Sequence, residues 1–258
     1  MNPHGAGITY RFDGETFDEE YVRVMSSGWN HPHNDQRPAV RRWLAGIQSR
    51  FQHMLDIGPG DAYYLELLRP SRYTIIEPNN ILRRAALDRA RHLGTETVAF
   101  TSVSAFLANH SVNRDIDLAV MIHVLFYLSL AEVQALLPRL RSKPLLLVYP
   151  WEQRAMTVTF EESIGLFGSR DRVRLKERLL PPPTRRELVH THIVLPAQAT
   201  VESIAFLLSH VILRFEMNDI VFRAAMEFAE SHLSSWYCAE GFYKLPQTQV
   251  LETFNFGR

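Results

Sequence analysis

Five short apolar runs, each followed by a longer amphipathic stretch, set what this chain can fold into. "HMLDIG" (53 to 58), "YTIIEP" (73 to 78), "TVAFT" (97 to 101), "IDLAVMIH" (116 to 123) and "PLLLVYP" (144 to 150) are near-continuously apolar, as strands buried on both faces are. Between them "AYYLELL", "NNILRRAALDRARHL", "VSAFLANH" and "SLAEVQALLPRLR" carry helical spacing. This alternation predicts an α/β fold, a parallel sheet with crossover helices on both faces. Ligands of such sheets bind beyond the carboxyl ends of the strands, near the point where strand order reverses.

Residues 1 to 50 look helical in "FDEEYVRVMSSGW" and "PAVRRWLAGIQSRF", which predicts an N-terminal helical cap over the ligand end. Residues 51 to 150 form the core. Residues 151 to 258 add the helices "VESIAFLLSHVILRF" and "DIVFRAAMEFAESHL" and two late strands, "HIVLPA" and "VLETFNF", that complete the sheet. Pro181, Pro182 and Pro183 cannot lie in a helix interior and predict a linker turn.

The totals narrow the partners. At 258 residues, 46% of them hydrophobic, the chain fits one unit with a sizeable core. Lys plus Arg and Asp plus Glu are equal at 28 each, so no basic field holds a polyanion, and nucleic acid is not expected as a partner. A lone Cys238 makes neither an internal disulfide nor a thiol metal motif, and a reducing interior is the natural home. The start "MNPHGAGITYRFDGE" lacks the basic-then-apolar order of a signal peptide, and no apolar run approaches the roughly 18 residues of a membrane span. The expectation is a soluble cytoplasmic protein that avoids membranes and acts as a monomer or homodimer.

"LDIGPG" carries the chemistry. Gly58 and Gly60 end the first strand, where a residue without Cβ lets the backbone turn and approach a ligand closely. The helix expected next presents free N–H groups and a positive dipole end, which suits a phosphate or a carboxylate. A dinucleotide fingerprint places a third small residue three positions after the second glycine, and here that position is Tyr63, which argues against pyrophosphate. At the tip of the second strand, Glu77 precedes Pro78 and can accept hydrogen bonds from both hydroxyls of a ribose. A nucleoside at Glu77 with a small charged group at the glycine turn describes S-adenosylmethionine.

At this point the chain resembles the class I S-adenosylmethionine-dependent methyltransferases, with "LDIGPG", "IIEP" and "IDLAVMIHVLFYL" as successive motifs over residues 51 to 150. Within them it is similar to the histamine N-methyltransferase group, on "IIEPN", "VMIHVLFYL" and the later "LLLVYPWEQRAM" and "LFGSR". The resemblance implies a Rossmann-like, mostly parallel sheet of seven strands. It places Asp56, Gly58, Gly60, Glu77 and Pro78 at the cofactor, with the glycines along the methionine tail and Glu77 on the ribose. It sets Ser102 or Ser104 by the adenine; Ser104 also fits a helix N-cap. The backbone at Ile122 and the side chain of His123 would face the methyl-transfer site. Three acceptor positions depart from the family: Asn34, with Asp35 beside it, stands for an acid, His123 for an amide, and Gln247 for an asparagine.

Methyl transfer is an in-line displacement that needs chiefly a held and aligned acceptor, with no metal and no covalent nucleophile. His123 at the end of strand four is placed to take or orient a proton, or else it is a satisfied core histidine. "GWNHPHNDQRP" gathers His31, His33, Asn34 and Asp35, readable as a solvated loop, as acceptor-binding groups, or as metal ligands. Without Cys partners or a HExxH helix the metal reading is set aside. Trp29, Tyr127, Trp151 and Phe160 would build an aromatic cage for a cationic or planar acceptor, or pack the core. Glu161 and its neighbour Glu162 would meet a substrate amine, or be a solvated helix face. The leading expectation is N-methylation of a small amine, an amino acid or the amine of a short peptide. O-methylation with His123 as general base and a catalytically silent cofactor-binding subunit are the alternatives.

Overall fold

In the computed structural model, residues 14–47, 51–109, 115–141, 143–150, 156–165, 178–213 and 219–255 are described. Strands β1 (His53–Ile57), β2 (Arg72–Ile76), β3 (Glu96–Phe100), β4 (Leu118–Ile122) and β5 (Leu145–Pro150) arise from the five apolar runs and pair in parallel. They alternate with α3 (Leu65–Leu68), α4 (Asn80–His92), α5 (Val103–Ala108) and α6 (Leu130–Leu140). Helices α1 (Gly14–Trp29) and α2 (Gln36–Ala45) precede the sheet. After it come α7 (Met156–Ser163), β6 (Arg185–Pro196), α8 (Val201–Leu213), α9 (Asp219–Trp236) and β7 (Phe242–Phe254). The seven strands lie in the order β3-β2-β1-β4-β5-β7-β6, with β7 antiparallel to both its neighbours. The seven-stranded, mostly parallel sheet flanked by helices is the Rossmann-like class I methyltransferase arrangement.

The near-continuous apolar character of the strands follows from burial on both faces. Within β1, Leu55 and Ile57 point to one face and join Phe106 of α5 and Val133, Leu136 and Leu140 of α6. Met54 points the other way, to Ala86 and Ala90 of α4 and to Val40, Trp43 and Leu44 of α2. Local chemistry sets the helix starts. Asn79 caps α4 by accepting from the backbone N–H of Ile81 and Leu82, and Ser129 with Glu132 forms a capping box on α6.

Two expectations are corrected, and the proline run is non-helical as expected. The late strands begin earlier than the apolar runs "HIVLPA" and "VLETFNF": β6 starts at Arg185 and β7 at Phe242, and they pair along the whole of β6. Their early halves carry polar residues and Pro246, which hides them from an apolar-run criterion, while cross-strand pairing supplies the order. The helix expected over "AYYLELL" is only the single turn α3, which lies between two left-handed residues that a helix does not include, Ala62 (φ 53°) and Arg69 (φ 41°). Pro181, Pro182 and Pro183 lie in a non-helical stretch ahead of β6.

Helix α1 docks on β6 and α8. Gly28 makes this contact possible, since a Cβ there would stand 2.6 Å from the backbone oxygen of Val194. Arg23 adds a hydrogen bond to Ser203 Oγ at 2.9 Å. Gly28→Ala is therefore expected to cost about 1–3 kcal/mol by overpacking against backbone that cannot yield. Urea denaturation checks this, and an unchanged midpoint would argue against the docking.

Candidate functional site

The strand order reverses between β1 and β4, and the loops leaving those strands part there. A cavity of about 320 Å³ lies at this point. The loop after β1 lines it with Gly58, Gly60, Asp61, Tyr63 and Tyr64, and the loop after β2 with Glu77, Pro78 and Asn79. Thr101 and Ser102 follow β3; His123, Val124 and Tyr127 follow β4. Tyr21 and Trp29 of α1 and Gln36 and Arg37 of α2 form the remaining wall.

Both glycines have positive φ, 65° at Gly58 and 59° at Gly60. Their reasons differ. A Cβ on Gly58 would fall 2.4 Å from Cγ2 of Val124, so this glycine lets the β4 loop close against the β1 loop. Close approach is needed here for protein packing, where the sequence suggested a ligand. Gly60 has room, its nearest neighbour being Trp29 at 3.8 Å, and only its φ demands glycine. With α3 reduced to one turn, the helix dipole expected behind this loop is missing.

Glu77 is buried, at 5% exposure. One of its carboxylate oxygens accepts from Gly60 N–H at 3.2 Å and the other from Asn79 N–H at 2.9 Å. The acid thus ties the tip of β1 to the tip of β2 on the cavity wall. Asp56 lies in β1 outside the cavity lining, and it accepts a hydrogen bond from Tyr73 at 2.9 Å. Burial pushes its pKa up to about 7, against the pull of that hydrogen bond and with help from the charge of Glu77.

His123 follows β4 with φ 58°, a left-handed conformation strained for a residue with a side chain, and its N–H donates to Val148 O at 2.8 Å. Burial, with a smaller contribution from the nearby Arg37 guanidinium, lowers its pKa to about 4. The imidazole is neutral at pH 7.

The remaining site candidates divide. Trp29 and Tyr127 line the cavity, each edge-on to Tyr21. Ser102 lines it and also caps α5 through Ala105 N–H, at 3.1 Å, so the cap foreseen at Ser104 belongs to Ser102. Ser104 is exposed, 2.9 Å from the Ser102 hydroxyl, and Ile122 ends β4 just before His123; neither lines the cavity. Asn34 and Asp35 lie outside it, in structural bonds. Asn34 donates to Gly28 O and accepts from Arg37 N–H, and Asp35 holds both the backbone N–H and Nδ1 of His192 at 2.7 Å. Gln247 is buried in β7 opposite Thr191, and Glu161 and Phe160 are buried on α7, all three away from the cavity lining. Trp151 lies outside the described residues. His31 and His33 pack on the ring of Phe242. Among the described residues, no group of three or more His, Cys, Asp or Glu is gathered as a metal site, and no helix is long and apolar enough to cross a membrane.

Arg37 was not foreseen. Its guanidinium stacks over Trp29 (4.7 Å) and Tyr63 (4.2 Å) and bonds Asp61 at 2.7 Å. Three arginines share "QRPAVRRWLA", and periodicity alone does not single out the one that turns inward. The loop acid Asp61, directly after the second glycine, was the available signal.

No protein-family model matches the chain, and no curated protein matches it in sequence. Solved structures do. A candidate methyltransferase from Bacillus halodurans matches with a TM-score of 0.50 at 10% identity, over 83% of this chain and 96% of that one. Phosphoethanolamine N-methyltransferase 2 of Haemonchus contortus, solved with phosphomonomethylethanolamine and S-adenosylhomocysteine, scores 0.48 at 10% identity over 93% of this chain and 57% of that one. Geranyl diphosphate C-methyltransferase of Streptomyces coelicolor scores 0.47 at 10% identity, over 93% and 97%. At such identity the likeness to the Bacillus protein is one of fold.

The lowered pKa of His123 has a measurable consequence. Between about pH 4 and 6.5 the unfolded chain binds a proton at this histidine that the folded chain does not, so the His123 contribution to stability rises with pH across that window. Asp56 acts in the opposite direction, holding a proton when folded up to about pH 7. Comparison with His123→Gln isolates the histidine. Wild type is expected to lose about 2 kcal/mol more than the variant between pH 7 and pH 5, as measured by urea denaturation at each pH.

Proposed function

We propose that this chain is an S-adenosylmethionine-dependent methyltransferase acting on a small molecule, and that it methylates nitrogen. The observation that carries the reading is the buried Glu77 carboxylate, held by Gly60 and Asn79 on the wall of a cavity at the strand-order reversal. An acid so oriented suits the two hydroxyls of a ribose. Thr101 and Ser102 after β3 suit the base, and the β1 loop with Arg37 suits the amino-acid tail. The one-turn α3 offers little to a pyrophosphate. The residues present thus fit S-adenosylmethionine, which supplies a sulfonium-bound methyl group whose S–C bonding pair returns to sulfur as the acceptor lone pair forms the new bond.

The chain's own residues then have to exclude water and hold the acceptor. Tyr21, Trp29 and Tyr127 wall the cavity beside His123. The neutral imidazole can accept a hydrogen bond from an acceptor N–H and so orient its lone pair. A hydroxyl acceptor needs a base strong enough to take its proton, and an imidazole of pKa about 4 is poorly matched to that task. This favours nitrogen, in an amine, an amino acid or the amine of a short peptide. The motif likeness to histamine N-methyltransferases does not carry that family's substrate here, since Asn34, Asp35 and Gln247 all lie off the cavity.

Calorimetry with S-adenosylhomocysteine tests the reading, with Glu77→Gln expected to weaken binding about 10- to 100-fold through loss of hydrogen bonds to a charged acceptor. No binding by wild type, or unchanged affinity in the variant, overturns it. A screen of amines and amino acids with labelled methyl donor follows. His123→Gln is expected to retain turnover within about 10-fold, as positioning requires, whereas a loss of about 1,000-fold or more would make His123 a base and favour oxygen.

A further inference from the structure

Arg37 carries more hydrogen-bonding capacity than the protein uses. Its side chain is 9% exposed, and it lines the cavity. A guanidinium has five N–H donors. Among the described residues its only side-chain hydrogen bond is the one to Asp61 Oδ1. Stacking between Trp29 and Tyr63 fixes the plane of the group without engaging the other donors. On the wall of the cavity, a guanidinium fixed in this way has donors to spare for a ligand.

The pairing around Arg37 narrows the partner. Asp61 is shared, since Arg89 reaches it at 3.6 Å and donates from Nε to the Asp61 backbone oxygen. One Asp61 oxygen faces Arg37 and the other faces Arg89, so Asp61 does not saturate the Arg37 fork. The other acids on the cavity wall are engaged elsewhere: Glu77 with Gly60 and Asn79, and Glu132 with Ser129 in the capping box. Around His123 the wall is aromatic, with a neutral imidazole.

We infer that Arg37 is the carboxylate receptor of this cavity, a planar fork pre-set by Trp29 and Tyr63 to take one carboxylate through two parallel N–H bonds. With Arg37 already paired to Asp61 and the Glu77 carboxylate on the same wall, a singly charged carboxylate suits the site better than a doubly charged phosphate. Two carboxylates belong to the reaction proposed above, the methionine carboxylate of the donor and one on an amino-acid acceptor. The inference rests on that reading for its source, while the receptor itself rests on the side-chain geometry.

Calorimetry on the full chain separates the possibilities. S-adenosylhomocysteine is compared with its decarboxylated analogue, S-adenosyl-3-thiopropylamine, in wild type, Arg37→Met and Arg37→Lys. If the donor carboxylate is the partner, wild type prefers the carboxylated ligand by about 10-fold or more, and Arg37→Met loses about 10- to 100-fold for it but under about 3-fold for the analogue; Arg37→Lys falls between. If the acceptor's carboxylate is the partner, both nucleosides bind alike in all three proteins, and benzoate or glycine titrated into the S-adenosylhomocysteine complex binds wild type but not Arg37→Met. Equal losses for both nucleosides would make Arg37 a brace for the glycine loop and overturn the inference, as would no loss for either nucleoside together with no carboxylate binding. Should Arg37→Met fail to fold, Arg37→Lys and the wild-type ligand preference decide. Should wild type bind neither nucleoside, the methyl-donor reading falls, and the benzoate and glycine titrations into the protein alone still test the receptor.

Discussion

The Glu77 carboxylate is buried between two loops and takes a backbone N–H from each, Gly60 on one side and Asn79 on the other. Around this tie the mouth of the sheet is organised. Gly58 N–H donates to Ile76 O at 2.8 Å, and Glu77 N–H to Phe100 O at 3.0 Å, so the tips of β1, β2 and β3 are linked in sequence. On the other side of β1, the missing Cβ of Gly58 admits Val124, and the β4 loop closes the floor of the crevice. The cavity is therefore a consequence of strand order and of two residue choices, a glycine that makes room and an acid that spans a gap. Neither contact would persist if the register of β1 with β2 slipped by one residue, because side chains would exchange faces.

The remaining wall comes from far away in the chain. Asn34 joins the end of α1 to the start of α2, and Asp35 fastens that elbow to His192 of β6 through both carboxylate oxygens. The Gly28 contact with Val194 and the Arg23 bond to Ser203 extend the same seam. Trp29 and Arg37, on either side of the elbow, thus owe their positions to β6, which among the described strands pairs with β7 alone. The residues that seemed suited to substrate, Asn34 and Asp35, instead hold in place two that face the cavity.

This explains what could be read from the chain and what could not. Strands buried on both faces announce themselves by composition, and the glycine turn with Glu77 announces itself by position, because both depend on local sequence and on the fixed spacing of a βαβ unit. The polar halves of β6 and β7 follow from pairing partners, and the inward turn of Arg37 follows from Trp29, Tyr63 and Asp61 meeting it in space. Gly58 shows a subtler limit. Its place in the motif was legible, yet its neighbour Val124 is 66 residues away, and only the fold discloses that the empty space is filled by protein.

Charge around His123 sets the last constraint. Burial holds the pKa of His123 low, and the Arg37 guanidinium beside it adds to the cost of a protonated imidazole. A sulfonium held in the same cavity would raise that cost further. The histidine thus stays neutral whether or not a donor is present, able to accept a hydrogen bond and ill-suited to retain a proton. An amine acceptor matches this environment, because its lone pair must be free before transfer and its surplus proton can leave to solvent afterwards. A carboxylate at Arg37 would weaken the field of the guanidinium at His123, which links the acceptor end of the cavity to the tail end by electrostatics even though the two are built on different loops.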